Sequence, residues 1–154
     1  MNQTQLFDLL DKYFHWLIDD FGLSYKRNEF ASVYSSDKLA MELCWDRYHP
    51  TIDIILHGEP DYSRLSFGWV ISYLTNERFN ANNSFYKSGD KEENAKKLAE
   101  LFKTHSKHII LEIDTWWIPA QKNKIKIWEN DLGISPVNFL DRIYKYVESF
   151  ERAD

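Results

Sequence analysis

Leu39, Met41, Leu43 and Trp45 alternate with Ala40, Glu42, Cys44 and Asp46, and Ile52, Ile54 and Leu56 alternate with Thr51, Asp53, Ile55 and His57. Such alternation marks β-strands with one buried face. Arg47-Tyr48-His49-Pro50 reads as a four-residue hairpin loop, because Pro50 has no amide hydrogen to give a ladder. That loop pairs Asp46 with Thr51 and sets Trp45, Leu43 and Met41 opposite Ile52, Ile54 and Leu56. Upstream, Ser36-Asp37 reads as a two-residue turn. It brings Phe30, Ser32 and Tyr34 opposite Leu43, Met41 and Leu39. A first strand falls near residues 23–28.

Helical spacing flanks this meander. Leu6, Leu10, Tyr13, Leu17 and Phe21 make one stripe between Thr4 and Phe21, broadened by Phe7, Leu9, Phe14 and Ile18. Thr4 is the expected N-cap and Gly22 the stop. Asp90 is an N-cap candidate, with Glu92 and Glu93 in the first turn. From there Leu98, Leu101, Phe102, His105 and Ile109 predict a helix to about Trp116, ended by Pro119. Residues 67–74 have the spacing of a short helix, with a fourth strand as the alternative. Residues 76–89 read as a polar loop. Pro136 opens a last amphipathic segment carrying Phe139, Leu140, Ile143, Tyr146, Val147 and Phe150. The expected class is therefore α+β in one domain spanning 1–154. An antiparallel meander of three to four strands is preceded by one amphipathic helix and followed by two or three helices on one face.

Composition narrows the chemistry. Aromatic residues are 16% of the 154, including six Trp, so a ring-rich core is expected. One cysteine, Cys44, allows no internal disulfide. No signal-like N-terminal region or long apolar run is present, and a cytoplasmic location is the expectation. The net charge is −5, unevenly placed: residues 1–77 hold 6 Lys+Arg and 12 Asp+Glu, whereas residues 78–154 hold 13 and 12. An acidic front half is a poor ligand for nucleic acid, which rewards neutralised phosphates. It suits a basic protein, since opposite potentials speed encounter.

No catalytic, metal or nucleotide motif stands out. His105, His108 and Glu112 fall at i, i+3 and i+7, a conceivable metal set, but His105 lies on the apolar stripe and a packing role is the default. Cys44 is expected to face Asp53, with His57 two pairs away, too far for a thiol–imidazole couple. Glu42, Asp46 and Asp53 share a face and are weighed as a carboxylate pair or as a solvated binding surface. Trp116 and Trp117 point about 100° apart on a helix, so one of them is a candidate interface anchor and burial of both the competing reading. Lys122, Lys124 and Lys126 alternate with Ile125 and Ile127, as in a basic edge strand.

The run Ala31-Ser32-Val33-Tyr34-Ser35-Ser36-Asp37-Lys38-Leu39, continuing to Trp45-Asp46-Arg47, resembles a pattern in small uncharacterised bacterial proteins of the toxin-immunity type. An opening helix that ends at a Phe21-Gly22-Leu23 step is part of that resemblance, which spans about residues 5–110 as an order of elements. It implies a non-enzymatic protein that binds and blocks a toxin domain, with no cofactor and no catalytic residue to carry over. The expected contacts are Glu42, Asp46, Tyr48, Asp53, Glu59, Asp61 and Tyr62. A basic toxin domain is the expected partner; nucleic acid and membrane are not. The rivals are a small enzyme or ligand-binding domain with a pocket between sheet and helices, and a self-assembling adaptor.

Overall fold

The computed structural model describes residues 1–47, 49–57, 64–76 and 90–131, the side chains of 125 and 127–131 excepted. Helix α1 (Gln3–Phe14) begins at Asn2 and not at Thr4. The Asn2 side chain accepts from the Gln5 amide, and the Gln5 side chain accepts from the Asn2 amide, each at 2.9 Å. This reciprocal box satisfies two donors that the first helical turn would leave bare. The helix tightens at His15, whose carbonyl accepts from Ile18, and α2 (Trp16–Phe21) follows. Gly22 ends it in the left-handed region at φ 65°, where a side chain would be strained.

Five antiparallel strands follow in sheet order: β1 (Ser24–Arg27), β2 (Ser32–Ser35), β3 (Leu39–Asp46), β4 (His49–Leu56) and β5 (Leu65–Ser66). The meander is thus longer than the three to four strands expected, by a two-residue strand too short to leave a periodic trace. The β3–β4 hairpin closes two residues tighter than expected, and the β2–β3 turn keeps two residues but moves one along the chain, to Asp37-Lys38, so partners in both ladders shift by two. Asp46 pairs with His49, Trp45 with Pro50, Leu43 with Ile52 and Met41 with Ile54. Tyr34 pairs with Met41 and Ser32 with Leu43. Because each slip is an even number, every side chain keeps its predicted face.

Both changes have physical causes. Ser36 is the closing residue of its turn and not part of it. Its N–H donates to the Leu39 carbonyl at 2.9 Å, and its Oγ accepts from the Lys38 amide at 3.3 Å. Arg47 takes φ 56°, the left-handed backbone that two-residue hairpin turns require. Pro50 is tolerated inside the strand by parity. His57 N–H donates to Lys38 O at 2.9 Å at the far end of the ladder. Counting back in alternating pairs makes Trp45–Pro50 a non-hydrogen-bonded pair. On its other side β5 reaches only Asp53 and Ile54. No amide hydrogen is called for at Pro50. Phe30 falls outside β2 and is 71% exposed, not opposite Leu43.

Helices α3 (Phe67–Thr75) and α4 (Lys91–Leu111) form as their spacing predicts, and Asp90 caps α4 by accepting from the Glu92 and Glu93 amides. The chain then bends at Glu112 and continues as α5 (Ile113–Asp131), with Pro119 inside it. The expected stop at Pro119 and the basic edge strand over 122–128 are both overturned. An interior proline costs about 3 kcal/mol of helix propensity, and burial of Trp116, Trp117 and Ala120 against the core offsets it. The two indoles are 1% and 3% exposed with ring centroids 5.6 Å apart, so neither is an interface anchor. The bend explains this. Trp116 Nε1 donates to the carbonyls of His108 and Ile109 at 3.2 and 3.3 Å. The His108 carbonyl also accepts from the Glu112 amide, so the indole seals the end of α4 where carbonyls run short of backbone donors.

The core lies between the apolar sheet face and the helices. Tyr34, Leu39, Met41, Leu43, Ile52 and Ile54 meet Phe7, Leu10, Phe14, Leu98 and Phe102, all buried. Each such side chain contributes about 1.5–3 kcal/mol. No helix among the described residues is long and apolar enough to cross a membrane. The expected last helix from Pro136 and the 77–89 loop lie outside the described residues.

Candidate functional site

Of the seven expected contact residues, Glu42, Asp46 and Asp53 are described, while Tyr48, Glu59, Asp61 and Tyr62 lie outside the described residues. Glu42 and Asp53 stand directly opposite on β3 and β4, on the sheet face turned away from the core. Arg64, just before β5, reaches both: its Nη1 lies 2.9 Å from Glu42 Oε2 and 3.5 Å from Asp53 Oδ2. Like charges opposed across a ladder repel, and the guanidinium turns that pair into a clamp between β3, β4 and β5. Asp46 is exposed at the hairpin end. Four residues of strand, about 13 Å, separate it from Glu42.

Cys44 sits beside this clamp but opposite Thr51, not Asp53 as expected. Burial, then the charges of Glu42 and Asp53, push its thiol above the ordinary range. A thiol so placed keeps its proton and is a weak nucleophile. His57 lies past the end of β4 and opposite Lys38, so its imidazole is not placed beside the sulfur. Lys124 of α5 approaches the same region. Its ammonium is 5.9 Å from the centre of the Trp69 ring, and burial pulls its pKa down against the opposing charge of Asp53. The face is half-buried and locally charge-balanced.

The His105–His108–Glu112 set does not assemble. His108 Nδ1 and Glu112 Oε2 are 3.9 Å apart and both are exposed. Among the described residues no group of three potential ligands is placed to hold a metal ion.

A second polar cluster has no counterpart in the sequence reading. Asp11 lies on the buried stripe of α1, one position from Leu10 and three from Phe14. Its Oδ1 accepts from Tyr34 Oη at 3.2 Å, and its Oδ2 accepts from Arg27 Nη1 at 3.0 Å and from the Tyr25 hydroxyl. Arg27 also holds Asp8 at 2.8 Å. His15 Nδ1 lies 3.1 Å from Tyr34 Oη. Since the Tyr34 proton goes to Asp11, the His15 Nδ1 must be the donor in that contact. Burial first, and then the Asp11 charge, raise the Tyr34 phenol; burial and the bond to Asp11 raise that of Tyr25. Both phenols stay protonated as donors. With three donors on one carboxylate, the cluster is a satisfied latch that ties α1 to β1 and β2. The visible signal was an aspartate at a core position of an apolar helical stripe.

These pairings also sort the surface charge. In residues 1–57, Lys12, Arg27 and Lys38 are tied to carboxylates, leaving Lys26 and Arg47 without one among the described residues. Asp19, Asp20, Glu29, Asp37 and Asp46 are exposed and have no cationic partner among the described residues. No family model, no curated protein and no solved structure matches the chain.

Proposed function

We propose that the chain is a protein-binding module that docks a basic protein, in the manner of an immunity protein occluding a toxin domain. The observation that carries this reading is the surplus of free acid on the front half. Five exposed carboxylates stand there against two uncommitted cations, after the internal ion pairs are set aside. Unpaired charge of one sign steers a partner of the other and costs nothing to strip of an internal counter-ion. Glu42 and Asp53 are moved out of the contact set by their bond to Arg64, whereas Asp46 stays in it. The protonated Cys44 thiol and the closed Asp11 latch lend no support to a hydrolytic rival.

The test is affinity isolation of the tagged chain from cells of its native source, followed by titration of the purified pair. The expected result is a stoichiometric basic partner whose affinity falls as salt rises and whose toxicity in a host is relieved by co-expression. A chain recovered alone at low salt, or a partner indifferent to salt, overturns the reading.

A further inference from the structure

Phe30 is the conspicuous exposed ring of the described surface, and its backbone is held in place. Asn28 Oδ1 accepts from the amides of Phe30 and Ala31 at 2.7 and 2.9 Å, and Asn28 N–H donates to Ala31 O at 3.0 Å. The Gln3 side chain donates to the Glu29 carbonyl, tying the same turn to the start of α1. Ala31, the next residue, is buried and anchors the turn. A closed turn thus holds out to water a large apolar side chain that the fold's own packing does not use.

The ring borders an open groove of about 330 Å³ lined by Gln3, Leu6, Phe7, Phe30, Trp45 and Arg47. Trp45 is fixed there by its indole N–H, which donates to Leu6 O at 3.0 Å. An indole already held in place, beside a ring whose backbone is held, loses little conformational freedom on contact, which favours binding. Glu29, adjoining Phe30, and Asp46, adjoining Arg47, are exposed carboxylates with no cationic partner among the described residues; Arg47 is the cation among the residues that line the groove. Two negative charges to one positive favour an apolar occupant with a basic neighbour.

We infer that the Phe30–Trp45 groove is the docking site for a segment of the partner that offers a large apolar side chain flanked by Lys or Arg. The inference rests on the basic-partner reading above and gives it a location. The probe is a phage-displayed library of random short peptides, selected on the wild-type chain alone, with each enriched peptide then titrated against wild type and Phe30→Asp. Phe30 is exposed, so this variant is expected to melt with the wild type, and melting is measured beside binding.

Peptides pairing an aromatic or aliphatic residue with Lys or Arg should be enriched. Their affinity should fall about tenfold or more in Phe30→Asp and severalfold in the double variant Glu29→Lys, Asp46→Lys. Failure to enrich any peptide, or enrichment of acidic ones, overturns the inference. Basic peptides that bind Phe30→Asp like wild type but lose affinity in Asp19→Lys, Asp20→Lys also overturn it, while leaving the basic-partner reading standing. A concentration-dependent dimer by light scattering that Phe30→Asp dissolves would overturn it too, by giving the groove to a second copy of the chain.

Discussion

Two arginines in this molecule do the same thing in different surroundings. Arg27 holds Asp8 and Asp11, and Arg64 holds Glu42 and Asp53, each through one guanidinium nitrogen. Around Arg27 one carboxylate is nearly sealed: the Asp11 side chain is 9% exposed, and two tyrosine hydroxyls complete its bonding. Around Arg64 both carboxylates remain reached by water, at 28% and 35%. Ion pairing in itself is therefore not the measure of importance. What matters is how much water each group gave up, and whether other donors replaced it.

The sharpest way to break this contrast is Asp11→Ala. Three donors lose their acceptor in a buried setting, and a loss of about 3 kcal/mol in urea unfolding is expected. A change as small as that of an exposed pair would remove the distinction. Next is Tyr34→Phe, which takes one donor away and should cost about 2 kcal/mol.

The same latch predicts a pH dependence. The Tyr25 and Tyr34 phenols are raised, so the folded chain keeps protons that the unfolded chain releases near their ordinary pKa. Their contribution is complete below about pH 10 and is lost as pH rises above it. Unfolding free energy should drop more steeply there in the wild type than in Tyr34→Phe, with tyrosinate absorbance reporting the ionisation.

Arg64→Ala should cost less, about 1 kcal/mol or under, and the loss should shrink in high salt. Adding Glu42→Gln should recover part of it, since the opposed like charges are then gone. The Asp11 loss should persist in the same salt. The smallest effect is expected at the hairpin tip, where Arg47 occupies a left-handed backbone. Arg47→Asn should raise stability by about 0.5 kcal/mol, read as a small rise in melting temperature.

The candidate groove was only partly visible beforehand. Trp45 was legible as a core-face residue and Asp46 as a solvent-face one. Phe30, however, reads from its period as a strand residue opposite Leu43, and nothing in that period shows Asn28 closing a turn that throws the ring outward. Asp11 was hidden in the opposite way, as one acid on an otherwise apolar stripe, because its three donors come from residues 14 to 23 positions away.

Periodicity, caps and composition by themselves determined the α+β class, the faces of β3 and β4, the Gly22 stop and the Asp90 start, and left 67–74 between helix and strand. Those are local properties, carried by neighbours along the chain. Tertiary structure alone decided the passage of α5 through Pro119 and the burial of both Trp116 and Trp117. It also decided which acids are neutralised and which stay free. Each of these turns on free energy shared between distant segments. A proline's lost hydrogen bond or a carboxylate's lost water is outweighed only by partners that folding brings to it.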